Sequence, residues 1–340
     1  MSKIMNWGIL GTADIAKERM IPNLLKAKNS RFYAIAGRKK EKVDLFKKEF
    51  NPIKTYYSYE EILEDKQIDI IYIPLPNSMH KEWSIKAMMN GKHVLCEKPL
   101  ALNSNEVEEM IKISNETGKY LMEAFAYRHS PLMIRIQELI NEGKIGNLKA
   151  IDSSLSINFY STEGFTANNL RVNKALGGGA IYDLGSYQIN LVVNYVKGMP
   201  EKITALADIC EETGCDKSSS IILFYKRGFM ATLHCAFNET YRNRFEIIGD
   251  KGRIISEDGF NAEGNLSITI IKQNQFNQGK ISLESVGTIE NEIISVPNNY
   301  ILEINNFVDC IVNNKKPLVS LESSLETYKV MDRVLEIIFN

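Results

Sequence analysis

The sequence predicts an α/β chain of two domains. A doubly wound parallel sheet spans residues 1–123, and a second α/β domain with mainly antiparallel strands spans 124–340. Three observations carry this. Through residue 123, short apolar runs alternate with helical patterns over short links, the signature of a parallel sheet. The first run ends in a glycine-led turn that opens a helix. After Glu123 a long alternating segment, a run of three glycines and successive hairpin strands replace that pattern. At 340 residues the chain also exceeds what one hydrophobic core usually organises.

Met5–Leu10 is a short apolar strand leading into Gly11-Thr12-Ala13-Asp14-Ile15-Ala16. This is a G-x-G-x-x-G/A pattern with Ala13 in place of the middle glycine. Gly11 permits a tight turn, Ala13 still lets a pyrophosphate approach the backbone, and Ala16 lets helix and strand pack closely. A second strand, 31–36, ends in Gly37-Arg38-Lys39-Lys40 rather than in an acid. An acid there accepts from a ribose 2′-hydroxyl, whereas a guanidinium suits a 2′-phosphate, so Arg38 with Lys39 predicts NADP over NAD. The plainer alternative, that these cations decorate the first turn of the helix to Phe50, sets them against the helix dipole.

Ser58 to Glu61 is a capping box for a short helix. Residues 68–73 form a buried strand broken by Pro74-Leu75-Pro76-Asn77, and a helix over 79–90 stops at Gly91. Strand 93–96 ends in Glu97-Lys98-Pro99, at the carboxyl edge where doubly wound sheets bind ligands. Asn77 and His80 reach the same edge. Lys98 is the first candidate for chemistry, against the reading of an ordinary surface lysine in a turn. Asn103 with Glu106 starts a helix that ends near Gly118, and 120–123 is a further strand.

The second domain opens with a helix at 131–141 and a long strand at 148–159. Gly177-Gly178-Gly179, before an apolar helix to Val196, marks a place where backbone comes close to another group. Asp183 and Tyr187 stand at i and i+4 on one face of that helix. The simpler reading packs Tyr187 in a core and lets Asp183 cap or bridge. Strands follow at 202–209, 218–225, 229–237 and 242–249, then a polar, hairpin-like region at 260–295 and helices at 300–313 and 321–339. Ile221, Leu223, Phe229, Ala231 and Leu233 alternate onto one face, which alternation alone leaves as either inner or outer.

Net charge is −1, so no global field draws the chain to nucleic acid or an anionic membrane. The start has no signal-peptide pattern, and the longest apolar run, near 68–75, is far short of a membrane span. Five cysteines with no C-x-x-C predict reduced thiols and a cytoplasmic protein, and four histidines without ligand spacing predict no metal site.

The GTADIA start, the PLPNSMH edge, LCEKPLA and GGGAIYDLGSY stand in order along the chain. Together they resemble the Gfo/Idh/MocA oxidoreductases, and within them the branch of NADP-dependent D-xylose 1-dehydrogenases and dimeric dihydrodiol dehydrogenases. The resemblance implies a Rossmann domain followed by an α/β domain with a large, open, mainly antiparallel sheet whose outer face is an oligomer interface, giving a homodimer or homotetramer. It also implies a Lys98-Pro99 bond that is often cis, and a small-molecule substrate, a sugar. It makes Lys98, Tyr187 and Asp183 the catalytic group. Gly8, Gly11, Thr12, Ile15, Arg38, Leu75, Asn77, His80, Glu97, Lys98 and Arg171 match its cofactor-lining positions. Tyr187 replaces a histidine found in sugar-alcohol members, which favours the aldose or dihydrodiol branch.

Oxidising a CH–OH group requires a hydride acceptor and a proton acceptor. A phenol titrates near about 10, and a neighbouring Lys98 ammonium favours its anion, so Tyr187 reads as the base, with the roles of Lys98 and Tyr187 exchangeable. Asp183 orients the pair or holds a sugar hydroxyl. The leading expectation is NADP-dependent oxidation of a D-xylose-like aldose. The alternatives are a trans-dihydrodiol dehydrogenase and a non-catalytic NADP-binding regulator. Asn158, Tyr160, Thr162, Asn168, Asn169 and Arg171 supply polar groups for a sugar, or form an ordinary polar surface loop.

Overall fold

The structure is a computed structural model and describes residues 3–274 and 286–340. The part of the expected 260–295 hairpin at 275–285 lies outside the described residues. The chain forms two compact units. The first runs to Arg128 and adds Ala175–Gly177 and Tyr300–Tyr328; the second holds His129–Lys174, Gly178–Asn299 and Lys329–Asn340. The chain thus divides at Arg128 rather than at residue 123, and residues 300–328 return to the first unit instead of staying with the second.

The first unit is built on β1 (Met5–Leu10), β2 (Ser30–Ala36), β3 (Lys54–Tyr56), β4 (Ile70–Ile73), β5 (His93–Glu97) and β6 (Leu121–Ala124). Their order is β3-β2-β1-β4-β5-β6, and every described pairing is parallel. Strand order reverses between β1 and β4, the switch point at which doubly wound sheets open a crevice. Strand β4 is buried along its whole length, which is why it reads as an unbroken apolar run.

The helices of this unit are α1 (Ile21–Leu24), α2 (Lys40–Phe50), α3 (Tyr59–Glu64), α4 (His80–Met89), α5 (Ser104–Thr117), all of α8 (Asn299–Asn313) after its first residue, and α9 (Leu321–Phe339) as far as Tyr328. The helix after the glycine-led turn is not uniformly α. Ala16–Met20 is a π turn before α1, whose first turn carries Pro22 and so lacks one N–H for the regular ladder. The predicted caps form: Glu61 N donates to Ser58 Oγ at 3.1 Å, and Glu106 N to Asn103 Oδ1 at 3.0 Å. The ring of Phe307, on α8, meets the buried Trp7 of β1 edge-on at 6.2 Å.

The second unit is an eight-stranded sheet with a helical layer on one face. Its strands are β7 (Leu148–Ser156), β8 (Lys202–Ile209), β9 (Asp216–Phe224), β10 (Met230–Ala236), β11 (Arg242–Gly249), β12 (Gly252–Ser256), β13 (Gly264–Gln273) and β14 (Val286–Val296), in the order β14-β13-β12-β11-β7-β10-β9-β8. Only β7 and β10 pair in parallel among the described pairings. Ile221, Leu223, Phe229, Ala231 and Leu233 are buried and belong to the inner face. Helices α6 (Pro131–Asn141) and α7 (Ser186–Tyr195) lie on that side, and Arg135 of α6 forks onto Glu292 of β14.

Candidate active site

In the first unit the expected dinucleotide edge is assembled at the carboxyl ends of β1, β2, β4 and β5. Gly11 has φ +116°, and a Cβ there would lie 3.0 Å from Leu75 Cδ2, so the turn after β1 needs a glycine and Leu75 walls it. Thr12, Ala13 and Ile15 are partly exposed around this turn, and Ala13 O accepts from the amides of Ala16 and Lys17. A glycine-requiring turn leading directly into a helical turn fits a pyrophosphate. Beyond β2, Arg38 is exposed and its guanidinium lies 5.7 Å over the buried Tyr59 ring, itself edge-on to Trp83. Lys39 is exposed at the N-cap of α2 and caps nothing with its side chain.

Several expected cofactor positions have another job. A Cβ on Gly8 would fall 2.8 Å from Ile71 Cδ1 and near Ile62 and Ile68, so that glycine serves core packing. Asn77 Nδ2 donates to Gly177 O at 2.8 Å and holds residues 175–177 to this unit. Glu97 accepts from Tyr72 Oη at 2.5 Å and from Lys98 N at 3.2 Å, so it supports the turn from below. His80 is fully buried, with Nδ1 2.7 Å from Pro99 O and Nε2 2.7 Å from Leu75 O. These contacts show how the edge is braced from within the first unit.

Lys98 itself is half-buried at the end of β5, and the Lys98-Pro99 bond is cis. Beneath the turn is a carboxyl the sequence reading missed. Glu123, in β6, is fully buried and accepts from Leu100 N at 3.0 Å, Tyr328 Oη at 3.0 Å and Ser324 Oγ at 2.6 Å. Burial pushes it up to about 7, against the pull of those hydrogen bonds and of Lys98. Burial likewise pushes His80 down, opposed by its two carbonyl contacts. Glu123 had no local signal, because Ser324 and Tyr328 lie some 200 residues away.

In the second unit, a π turn at Ile181–Gly185 precedes α7 and carries Asp183. Arg171 Nε donates to Asp183 Oδ2 at 3.2 Å, and the same guanidinium lies 4.9 Å over Phe159. Tyr187 is 8% exposed, its ring against Phe260, and Asn261 Nδ2 donates to its hydroxyl oxygen at 2.9 Å. Asn261 and Phe260 were also missed; the Gly259-Phe260-Asn261 turn was their only trace. The glycine run approaches the protein's own groups. Gly179 has φ +132°, and a Cβ there would fall 2.2 Å from Oδ1 of Asp216, whose Oδ2 accepts from Ile181 N and Ser219 Oγ at the start of this helix. Desolvation raises the Asp216 pKa despite those bonds.

A model of an oxidoreductase family with an NAD-binding Rossmann fold matches residues 5–125, and a GFO/IDH/MocA C-terminal domain model matches residues 133–255. The chain belongs to the Gfo/Idh/MocA oxidoreductases. Within that family it is 32% identical over 334 residues to a trans-1,2-dihydrobenzene-1,2-diol dehydrogenase of Xenopus laevis, covering 97% of each chain. It is 28% identical over 332 residues to a D-xylose 1-dehydrogenase (NADP(+)) of Haloferax volcanii, covering 98% of this chain and 97% of the relative. Among solved structures, a 3-ketoreductase from Actinomadura kijaniata in complex with NADP and TDP-benzene superposes with a TM-score of 0.87 at 25% identity, covering 98% of each chain. This chain is an oxidoreductase of that family, with a Rossmann sheet and a second, mostly antiparallel sheet. Among the described residues no helix is long and apolar enough to cross a membrane, and no group of three or more His, Cys, Asp or Glu is placed to hold a metal.

Proposed function

We propose that this chain is an NADP-dependent dehydrogenase of a D-xylose-like aldose, a cytoplasmic homodimer or homotetramer. The observation that carries the reading is the Tyr187 phenol with an amide donor, Asn261 Nδ2, on its oxygen. Such a donor favours the phenolate, the form that takes a hydroxyl proton. When bound, the dinucleotide supplies the hydride acceptor; the chain must bind it, orient the sugar and move one proton. The turn at Gly11 holds the pyrophosphate, and Arg38, steadied by Tyr59, takes the 2′-phosphate. Tyr187 Oη receives the substrate proton; the exchanged assignment, Lys98 as acceptor, is the alternative. Asp183 orients a sugar hydroxyl while fixing Arg171. The relatives named for NADP and for xylose support this reading.

Arg38→Ala is expected to weaken NADP by about 1.5–3 kcal/mol, the usual value of a charge-assisted contact, and to leave NAD almost unchanged. Equal losses for both dinucleotides in a fluorescence titration would contradict the 2′-phosphate role.

A second reading, trans-dihydrodiol oxidation, is favoured by specific contacts. Asn158 and Asn169 spend their side chains capping local turns, bonding Ser161 N and Arg171 N, so part of the expected sugar-binding polarity is taken. Phe159 and Phe165 stack at 5.7 Å and 13°, and Phe260 flanks Tyr187, which suits a flat ring. The test is kcat/KM for D-xylose, D-glucose and a trans-dihydrodiol with NADP⁺. The aldose reading expects a pentose to lead. A dihydrodiol preference above tenfold, about 1.4 kcal/mol of transition-state binding, reverses the order. NADP binding with no turnover of any of them would leave the regulator.

A further inference from the structure

Two buried groups grip one peptide. Nδ1 and Nε2 of His80 each face a backbone carbonyl oxygen, Pro99 O and Leu75 O, at 2.7 Å. A carbonyl cannot donate, so a neutral ring would set its one bare lone pair against an oxygen; only the imidazolium, with two N–H groups, satisfies both. The other end of the Pro99–Leu100 peptide gives its N–H to Glu123 Oε1 at 3.0 Å. Glu123 meets two further hydroxyl donors, Tyr328 and Ser324, and Tyr328 Oη accepts from Ala101 N at 3.2 Å. A carboxylate is the form that accepts from all three.

We propose that His80 and Glu123 form a buried imidazolium–carboxylate pair, bridged by the Pro99–Leu100 peptide, that positions Lys98. The inference rests on the proposed proton-handling role of Lys98. An isolated buried charge of either sign is costly, but opposite charges at the two ends of one peptide polarise it and each other. Burial is the largest influence on each and opposes both ionisations; the two carbonyl oxygens counter it at His80, and the Ser324, Leu100 and Tyr328 donors with Lys98 counter it at Glu123. The ionisable groups facing the pair are Lys98 from the turn, which acts on both, and Tyr328 of α9 and Cys96 of β5, which face Glu123. His80 and Glu123 are positioning residues, since neither reaches the reacting atoms: both are fully buried.

The first test is ¹⁵N NMR of the histidine-labelled full chain near about pH 8, where a free histidine is neutral. Both ring nitrogens of His80, assigned by their loss in His80→Gln, are expected to carry a proton; one protonated nitrogen overturns the pair. The second is kinetic. His80→Gln and Glu123→Gln are each expected to lower kcat about 10- to 100-fold with dinucleotide Kd unchanged, because the fault is misplacement of a catalytic group. The double variant should be no slower than the worse single, and multiplying effects overturn the bridge. If Glu123→Gln does not fold, Tyr328→Phe replaces it in the same cycle, with the same two outcomes. Full turnover by Lys98→Ala would sink the functional reading while the NMR result stood.

Discussion

Asn261 sits at φ 50°, in the left-handed region that asparagine tolerates better than most residues. That backbone choice brings its amide to Tyr187. Removing the donor in Asn261→Leu is expected to move the rise of kcat with pH to higher pH and to cost about 10-fold near neutrality, in line with about 1.5 kcal/mol for a hydrogen bond to a charged group. A pH–rate profile identical to that of the wild type would take Asn261 out of the site. At this scale the sequence was only partly legible. Lys98, Tyr187 and Arg38 were visible because each stands in a local pattern. Asn261 and Glu123 were not, because their partners are remote: Tyr187 is 74 positions from Asn261, and Tyr328 is 205 from Glu123.

Asp65, between α3 and β4, shows how one carboxylate joins elements. Its Oδ2 accepts from Lys54 Nζ at 2.8 Å and Tyr56 Oη at 2.6 Å, both in β3, and its Oδ1 from Gln67 N at 2.9 Å. Burial pushes Asp65 up, but those bonds outweigh it and hold it at about 2. A carboxyl depressed on folding stabilises the fold above its unfolded value, and that contribution is lost as pH falls through about 4 towards 2. Asp65→Asn is expected to cost about 1–2 kcal/mol in urea unfolding near neutral pH, discounted because Lys54 is half exposed, and little at pH 2. An equal loss at both pH values would assign the effect to packing. Strand β3 itself escaped the sequence reading: three residues are too few for a period to show. The two π turns escaped for a different reason, since their spacing departs from the α repeat by less than a residue per turn.

Over the whole molecule, the face of the second sheet opposite its buried inner side carries exposed apolar side chains. Leu206, Ile222, Phe224 and Met230 cluster there through cross-strand pairing, with Leu206 76% exposed, and Ile289 and Ile293 lie on the same face at the opposite edge strand, β14. An exposed apolar cluster such as that on β8, β9 and β10 calls for burial by a second copy. Light scattering at micromolar concentration is expected to give a dimer or tetramer, and Phe224→Glu with Leu206→Glu to dissociate it; a wild-type monomer would count against the assembly. The sequence identified the strands here but not their inner side, which depends on where α6 and α7 pack.

The return of α8 to the first unit bears on modularity. Phe307 covers Trp7, and Ser324 with Tyr328 completes the shell of Glu123. The dinucleotide half is therefore not a cassette encoded by the first third of the gene. A fragment ending at Arg128 would expose an indole and strip a buried acid of two donors, so recombination that grafts this half onto another partner must carry the carboxyl-terminal helices with it.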